Sequence, residues 1–225
     1  MQIETMTKPR IFSVDPEHIS EESMREVAEI LRLGGMIAYP TETVYGLGGD
    51  PLDRGVIRRI HDLKGRGDGK PFLLLVGSES SIKPYVREIP DPAVRLMERF
   101  WPGPLTLVFL ASESLSSPVK DNNGKIGLRL SSDPVCAALL RAFGKPLIST
   151  SANPSGREPA RSVRGVLSYF PTGLDAILDA GERRGMIPST LVDVSLPIPR
   201  LLRKGPVSEQ SIRSAIGELD ESETI

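Results

Sequence analysis

Short apolar runs alternate with helical repeats along most of this chain, and that alternation is what limits its fold. The segments "MIAYP", "FLLLV", "LTLVFLA", "KIGLRLS" and "PLIST" are too short for ordinary helices and read as strands. Ahead of them, Ser20 can cap a helix with Glu21 and Glu22 in its first turn and Met24, Val27, Ala28 and Leu31 on one face, stopped by Gly34 and Gly35. Val56, Ile57, Ile60 and Leu63 recur at helical spacing after Asp53. Further helices start at Asp91 and Pro92, broken by "FWPGP", and at Asp133 and Pro134, ending at Gly144. "DAILDAG", "STLVDVS" and "IPRLLRKG" add three strands, and Ser208 to Ile216 a last helix. Strands and helices in this mixed order predict an α/β fold. Since no Pro/Gly/Ser linker divides the chain, residues 11–216 are expected to form one domain, with residues 217–225 as an acidic, frayed tail.

Composition narrows the class. The chain has 225 residues, 39% hydrophobic and 25% charged, enough for a real core. No apolar run is long enough to span a bilayer, and "MQIETMTKPRIF" lacks a signal-peptide pattern, so no membrane association and a cytoplasmic location are expected. One cysteine, Cys136, excludes an internal disulfide, and with only His18 and His61 it cannot build a transition-metal cluster. A net charge of −1 gives no global attraction to nucleic acid.

Two segments carry the chemistry. "KGRGDGKP" sets Lys64, Arg66 and Lys70 among glycines, a loop suited to phosphate, although a solvated basic turn fits the same residues. It is not a P-loop, and the glycines of "YGLGGD" miss the dinucleotide fingerprint, so a tight turn is their expected role. "GKPLISTSANPSG" ends a strand in Ser149, Thr150, Ser151 and Asn153. These short donors suit a polar substrate wall, or equally a turn that satisfies its own backbone. Neither histidine lies in a triad motif and no Gly-x-Ser-x-Gly elbow exists, which disfavours a serine hydrolase. Glu42 and Asp50 are carboxylates that could assist magnesium; Trp101 and Cys136 read as packing residues and His61 as a helix-surface residue.

Seven segments occur together in order: "YPTETVYGLG", "KGRGDGKP", "WPGPLTLVF", "IGLRLS", "STSANPSG", "STLVDVS" and "LLRKGP". Together they resemble the YrdC family, the threonylcarbamoyl-AMP synthases of tRNA modification, in its single-domain type. The resemblance implies a twisted, mixed β-sheet flanked by helices with a deep basic cavity. It also implies formation of threonylcarbamoyl-AMP and pyrophosphate from L-threonine, bicarbonate and ATP with Mg²⁺, and a downstream threonylcarbamoyl transferase as partner.

By that resemblance Lys64 and Arg66 serve catalysis. Lys64, Arg66, Lys70, Lys125, Ser151, Asn153 and Arg203 face ATP, while Thr41, Arg129, Ser149 and Ser189 surround threonine, with Arg129 on its carboxylate. No protein-bound metal site is expected. The alternatives are a double-stranded RNA or tRNA binding module without catalysis, and a paralogous enzyme handling another carbamoyl-adenylate.

Overall fold

Local signals build the helices of this computed structural model, which describes residues 7–65, 72–113, 115, 119–184 and 187–221. The Ser20 hydroxyl accepts from the Ser23 N–H at 3.2 Å and opens α1 (Glu21–Arg32), while Gly34, at φ 82°, turns the chain away. Asp53 caps α2 (Arg54–Lys64), which stops on left-handed Gly65, and Asp133 caps α4 (Pro134–Phe143), which stops on left-handed Gly144. Between them lies α3 (Asp91–Phe100), with Pro92 in its first turn. Ser162 and Ser208 cap α5 (Val163–Tyr169) and α6 (Glu209–Ile216).

Among the described residues, eleven strands form one mixed sheet. They are β1 (Arg10–Ser13), β2 (Ile37–Tyr39), β3 (Gly46–Gly48), β4 (Leu73–Leu75), β5 (Leu105–Leu110), β6 (Lys125–Arg129), β7 (Leu147–Ser151), β8 (Ala176–Asp179), β9 (Thr190–Asp193), β10 (Arg200–Arg203) and β11 (Asp220–Glu221). Their order is β1-β8-β2-β3-β7-β4-β6-β5-β9-β10-β11. The α/β class and the mixed, helix-flanked sheet are as expected.

Strand alternation sorts the side chains into two cores. Ala38, Leu47, Leu74, Leu107, Leu128 and Ile148 point to one face, where α2, α3, α5 and α6 pack on them. Ile37, Tyr39, Leu75, Leu147 and Leu178 point to the other, under α1 and α4. A fully buried leucine such as Leu31 contributes about 1.5–3 kcal/mol by leaving water. This second core covers only part of its face, and the remainder carries the polar residues described below.

Two expectations are corrected. The glycines of "YGLGGD" do not make a tight turn: Gly46–Gly48 is strand β3, between β2 and β7. None of Gly46, Gly48 and Gly49 has positive φ; a Cβ on Gly48 would lie 2.5 Å from the Ile148 carbonyl oxygen and 2.6 Å from Tyr39 Cε1, so close approach, not a turn, requires glycine. The chain after residue 216 is not frayed as far as it is described. Leu219 is buried in the core, Asp220 and Glu221 run parallel to Arg200 and Leu201, and Arg200 pairs with Asp220 at 2.8 Å. Among the described residues, no helix is long and apolar enough to cross a membrane.

Candidate active site

Register alone assembles most of the site. Pairing Leu73 with Gly127 and Ser149, Leu75 with Arg129, Val108 with Gly127, and Leu191 with Thr106 and Arg203 sets one repeating face across six strands. On that face lie Ser149 and Ser151 of β7, Lys125, Gly127 and Arg129 of β6, Thr106 and Val108 of β5, Leu191 of β9 and Arg203 of β10. Val108 belongs to neither core. Ser189, two residues before Leu191, shares the face, and its hydroxyl meets Thr106 Oγ1 at 2.8 Å. A separate hollow along α6, lined by Ser208, Glu209, Gln210, Arg213 and Ser214, shares none of these residues.

Arg129 is a nearly buried cation. Its side chain is only 4% exposed, and its Nε is buried without a hydrogen-bond partner. Glu42 Oε1 lies 3.8 Å from that Nε and is likewise unpartnered. The other Glu42 oxygen accepts from the Ser131 hydroxyl. Ser131 Oγ in turn accepts from the Asp133 N–H at 3.2 Å, and Asp133 pairs with Arg183 at 2.8 Å, so α4's cap anchors this polar chain. A buried guanidinium with an unfilled donor is costly unless a ligand completes it.

Arg203 approaches from β10. Its Nε and Nη2 donate to the Ser189 carbonyl at 3.1 and 2.9 Å, and Nη2 also donates to Ser189 Oγ at 3.3 Å. Burial, with the nearby Arg129 charge, lowers the Arg203 pKa from its ordinary value. The Arg129 charge beside Arg203 makes this a place that favours an anion. Lys125 lies on the same face as Arg129 but four residues away, about 13 Å along the strand, and its ammonium meets Asp193 at 2.6 Å. The expected extra charge at Lys125 is therefore matched by a carboxylate.

The strand end of "GKPLISTSANPSG" is held by Lys64. From the last turn of α2, its Nζ donates to the carbonyls of Ser151 and, at 2.7 Å, Asn153, while its own carbonyl accepts from the Ser155 N–H at 2.8 Å. Asn153 Nδ2 donates to the carbonyls of Pro154 and Arg157 at 2.9 and 2.6 Å, leaving Oδ1 buried without a partner. Lys64 and Asn153 thus shape the loop around Ser151. Arg66 and Lys70 lie outside the described residues.

Thr41 shapes the loop that precedes β3. Its hydroxyl donates to the Val44 carbonyl at 2.7 Å and lies 2.9 Å from Thr43 Oγ1, folding the loop that carries Glu42. Asp50 binds Lys145 and the Leu52 N–H, each at 2.8 Å, while Glu42 faces Arg129 and Ser131. Ser149 is buried beside Tyr39, whose phenol burial raises above its ordinary pKa while a Ser149 hydrogen bond opposes the rise. Trp101 packs in the core with its Nε1 donating to Leu105 O at 2.7 Å, and Cys136 is fully buried.

Thr106, Ser131 and the pairing of Glu42 with Arg129 escape motif reasoning. One signal was available for Thr106: it is the lone hydroxyl in "LTLVFLA", a strand otherwise wholly apolar.

A mixed sheet with one polar, cation-bearing face defines a class of site for small anionic substrates, and comparison with known proteins identifies its lineage. The Sua5_yciO_yrdC family model, described as "Telomere recombination", matches residues 29–205, and the chain belongs to that family. It is 35% identical over 203 residues to the threonylcarbamoyl-AMP synthase of Pyrococcus abyssi, an alignment covering 90% of this chain and 60% of that protein. It is 37% identical over 203 residues to the putative threonylcarbamoyl-AMP synthase of Mycobacterium tuberculosis H37Rv, covering 90% and 93%. The structure of P. abyssi Sua5 complexed with L-threonine superposes with a TM-score of 0.90 at 34% identity, over 94% of this chain and 62% of that one. Escherichia coli YciO superposes with a TM-score of 0.84 at 28% identity, over 91% and 99%.

Proposed function

We propose that this chain is an L-threonylcarbamoyladenylate synthase, which joins L-threonine, bicarbonate and ATP into threonylcarbamoyl-AMP and pyrophosphate for tRNA modification. The observation that carries the proposal is Arg129, a nearly buried guanidinium with an unfilled Nε, on one sheet face with Arg203, Ser149, Ser151 and Ser189. The names of the relatives and the threonine bound by P. abyssi Sua5 support the same substrates.

Roles follow from charge and size. Arg129 pairs with the threonine carboxylate, since a guanidinium and a carboxylate can form two parallel bonds. Ser149 and Ser189 are small enough to read its hydroxyl side chain. Lys64, Asn153 and Ser151 form the end of β7 against which the nucleotide lies, with Arg66 and Lys70 supplying charge and Arg203 adding more from β10, while Lys125 of β6 shares its charge with Asp193. A basic cavity formed in this way encloses both substrates.

The chemistry requires little of the protein beyond placement. Threonine's neutral amine attacks the carbon of bicarbonate, forming the C–N bond as water leaves, and an oxygen of the resulting carbamate attacks the α-phosphorus of ATP while pyrophosphate leaves. Holding the two substrates together removes entropic cost from that step, and fixed guanidiniums stabilise the oxygens on which negative charge grows. Exclusion of water also protects the labile carbamate and mixed anhydride. Mg²⁺ carried in with ATP would add positive charge at the phosphates on which negative charge grows. The product passes to a threonylcarbamoyl transferase.

The test is pyrophosphate release by the purified protein with ATP, Mg²⁺ and bicarbonate, with and without L-threonine, using serine and alanine as controls. Threonine-dependent release, with the adenylate identified by mass spectrometry, is the expected result. No release with any of these amino acids from a folded protein, together with salt-sensitive RNA binding, would replace the proposal with an RNA-binding module. Release without amino-acid dependence would point to a paralogous carbamoyl-adenylate enzyme.

A further inference from the structure

We propose that Glu42 is the site's receptor for the α-ammonium group, so that Glu42 and Arg129 together recognise an α-amino acid as a zwitterion. The proposal rests on the synthase assignment above and adds a residue to it. Arg129 Nε is a buried donor and Glu42 Oε1 a buried acceptor, both without hydrogen-bond partners, and they stand 3.8 Å apart. That distance is too long for a hydrogen bond. Buried charged pairs elsewhere in the molecule close fully: Lys125 and Asp193 meet at 2.6 Å, Arg183 and Asp133 at 2.8 Å.

Glu42 is held in this position. Its Oε2 accepts from the Ser131 hydroxyl, Ser131 is tied to the capped start of α4, and Thr41 folds the loop that carries Glu42. Its side chain is 15% exposed, so it borders the open face rather than lying sealed in the core. A single ligand can satisfy both unfilled atoms if it carries an anionic acceptor and a cationic donor on neighbouring atoms. An α-amino acid does this: its carboxylate goes to the Arg129 guanidinium and its ammonium to Glu42 Oε1. A carboxylate without the amine would leave the Glu42 oxygen unfilled, which is the kind of omission that polar sites reject strongly. The same contact fixes the nitrogen on which the carbamate forms once the ammonium has given one proton to solvent and become the neutral amine.

The test compares L-threonine with (2S,3R)-2,3-dihydroxybutanoate, in which a hydroxyl replaces the ammonium, by calorimetric binding to the wild type and to Glu42→Gln. The wild type is expected to prefer threonine by about tenfold or more, as for a charge-assisted bond, and Glu42→Gln to lose that preference while still binding both ligands. Equal weakening of both ligands, with the preference kept, would show that Glu42 acts only by holding Arg129 and would overturn the proposal. If Glu42→Gln does not fold, Glu42→Asp replaces it, with loss of the threonine preference expected and an unchanged preference overturning the proposal, and equal wild-type affinity for the two ligands overturns it in any case. A wild type that binds neither ligand and releases no pyrophosphate would instead remove the synthase assignment on which the proposal rests.

Discussion

Arg203 grips Ser189 at two places, its Nη2 donating to the carbonyl at 2.9 Å and to the hydroxyl at 3.3 Å. Only the second contact depends on the serine side chain. Ser189→Ala should therefore keep Arg203 in place through the carbonyl while leaving Thr106 Oγ1 without its 2.8 Å partner. The expected cost to stability is about 1 kcal/mol, with a raised KM for threonine and nearly unchanged ATP binding. Calorimetry with ATP and steady-state kinetics with threonine check this; an equal loss in both would remove Ser189 from the threonine side of the site.

Arg129 tests shape as well as charge. Arg129→Lys keeps the positive charge but cannot offer two parallel donors, and its ammonium would need to be buried in a site that leaves arginine 4% exposed. Loss of about 1.5–3 kcal/mol, or roughly ten- to a hundredfold in kcat/KM for threonine, is expected. Retained threonine kinetics in Arg129→Lys would mean that only a diffuse charge is needed there.

Lys64 joins stability to function in one side chain. Lys64→Ala removes a charged donor from the carbonyls of Ser151 and Asn153 and should lower stability by about 1–3 kcal/mol, read from the urea midpoint. Displacement of the β7 end should also abolish threonine-dependent pyrophosphate release. An unchanged midpoint would refute the strut, whereas a lowered midpoint with full activity would refute its part in nucleotide handling.

Helices α1, α2 and α4 were legible in the sequence because caps, periodicity and stop signals agree locally: Ser20, Asp53 and Asp133 cap them, and Gly65 and Gly144 end α2 and α4 in the left-handed conformation. Strand β3 was not, because "GLG" has no β propensity of its own and is a strand through its neighbours Tyr39 and Ile148. The pairing of Asp220 with Arg200 was hidden for the same reason, since acidic composition says nothing of a distant basic partner. At the site, short motifs pointed to Arg129, Ser149, Ser189 and Arg203, which strand register gathers on one face. They did not show that Thr41 is occupied by its own loop, nor that Ser131 holds Glu42, since both depend on side-chain directions after the chain has folded.

Two glycines in the sheet should respond in opposite ways to one methyl group. At Gly48 a Cβ would sit 2.5 Å from a backbone oxygen, which cannot move without shifting β7, so Gly48→Ala should destabilise by about 1–3 kcal/mol. At Gly127 the nearest atom is Thr106 Cγ2 at 3.4 Å and the next Leu73 Cα at 3.7 Å, ordinary contacts. Gly127→Ala should be neutral or stabilising by about 0.5 kcal/mol, since glycine in a strand interior carries an entropic cost. Urea denaturation of the two variants decides, and a large loss in Gly127→Ala would show that packing constrains this floor as tightly as it constrains β3.

Alkaline pH should weaken the fold through its buried acids. Burial raises the Cys136 thiol from 9.0 to about 12, and also raises the phenols of Tyr39 and Tyr45. In each case the unfolded chain ionises first. The stabilisation is complete below the unfolded pKa, 9.0 for the thiol, and is lost as pH rises from there through the folded value of about 12. Each such group contributes a downward slope of up to about 1.4 kcal/mol per pH unit in that window. Cys136→Ala removes one of them, so its stability should fall less steeply than the wild type's between these pH values, as followed by urea midpoints. The same burial predicts that a thiol-specific reagent labels Cys136 only after unfolding; rapid labelling of the native protein, or parallel pH slopes in the two proteins, would show that the thiol is not sealed between α4 and the sheet.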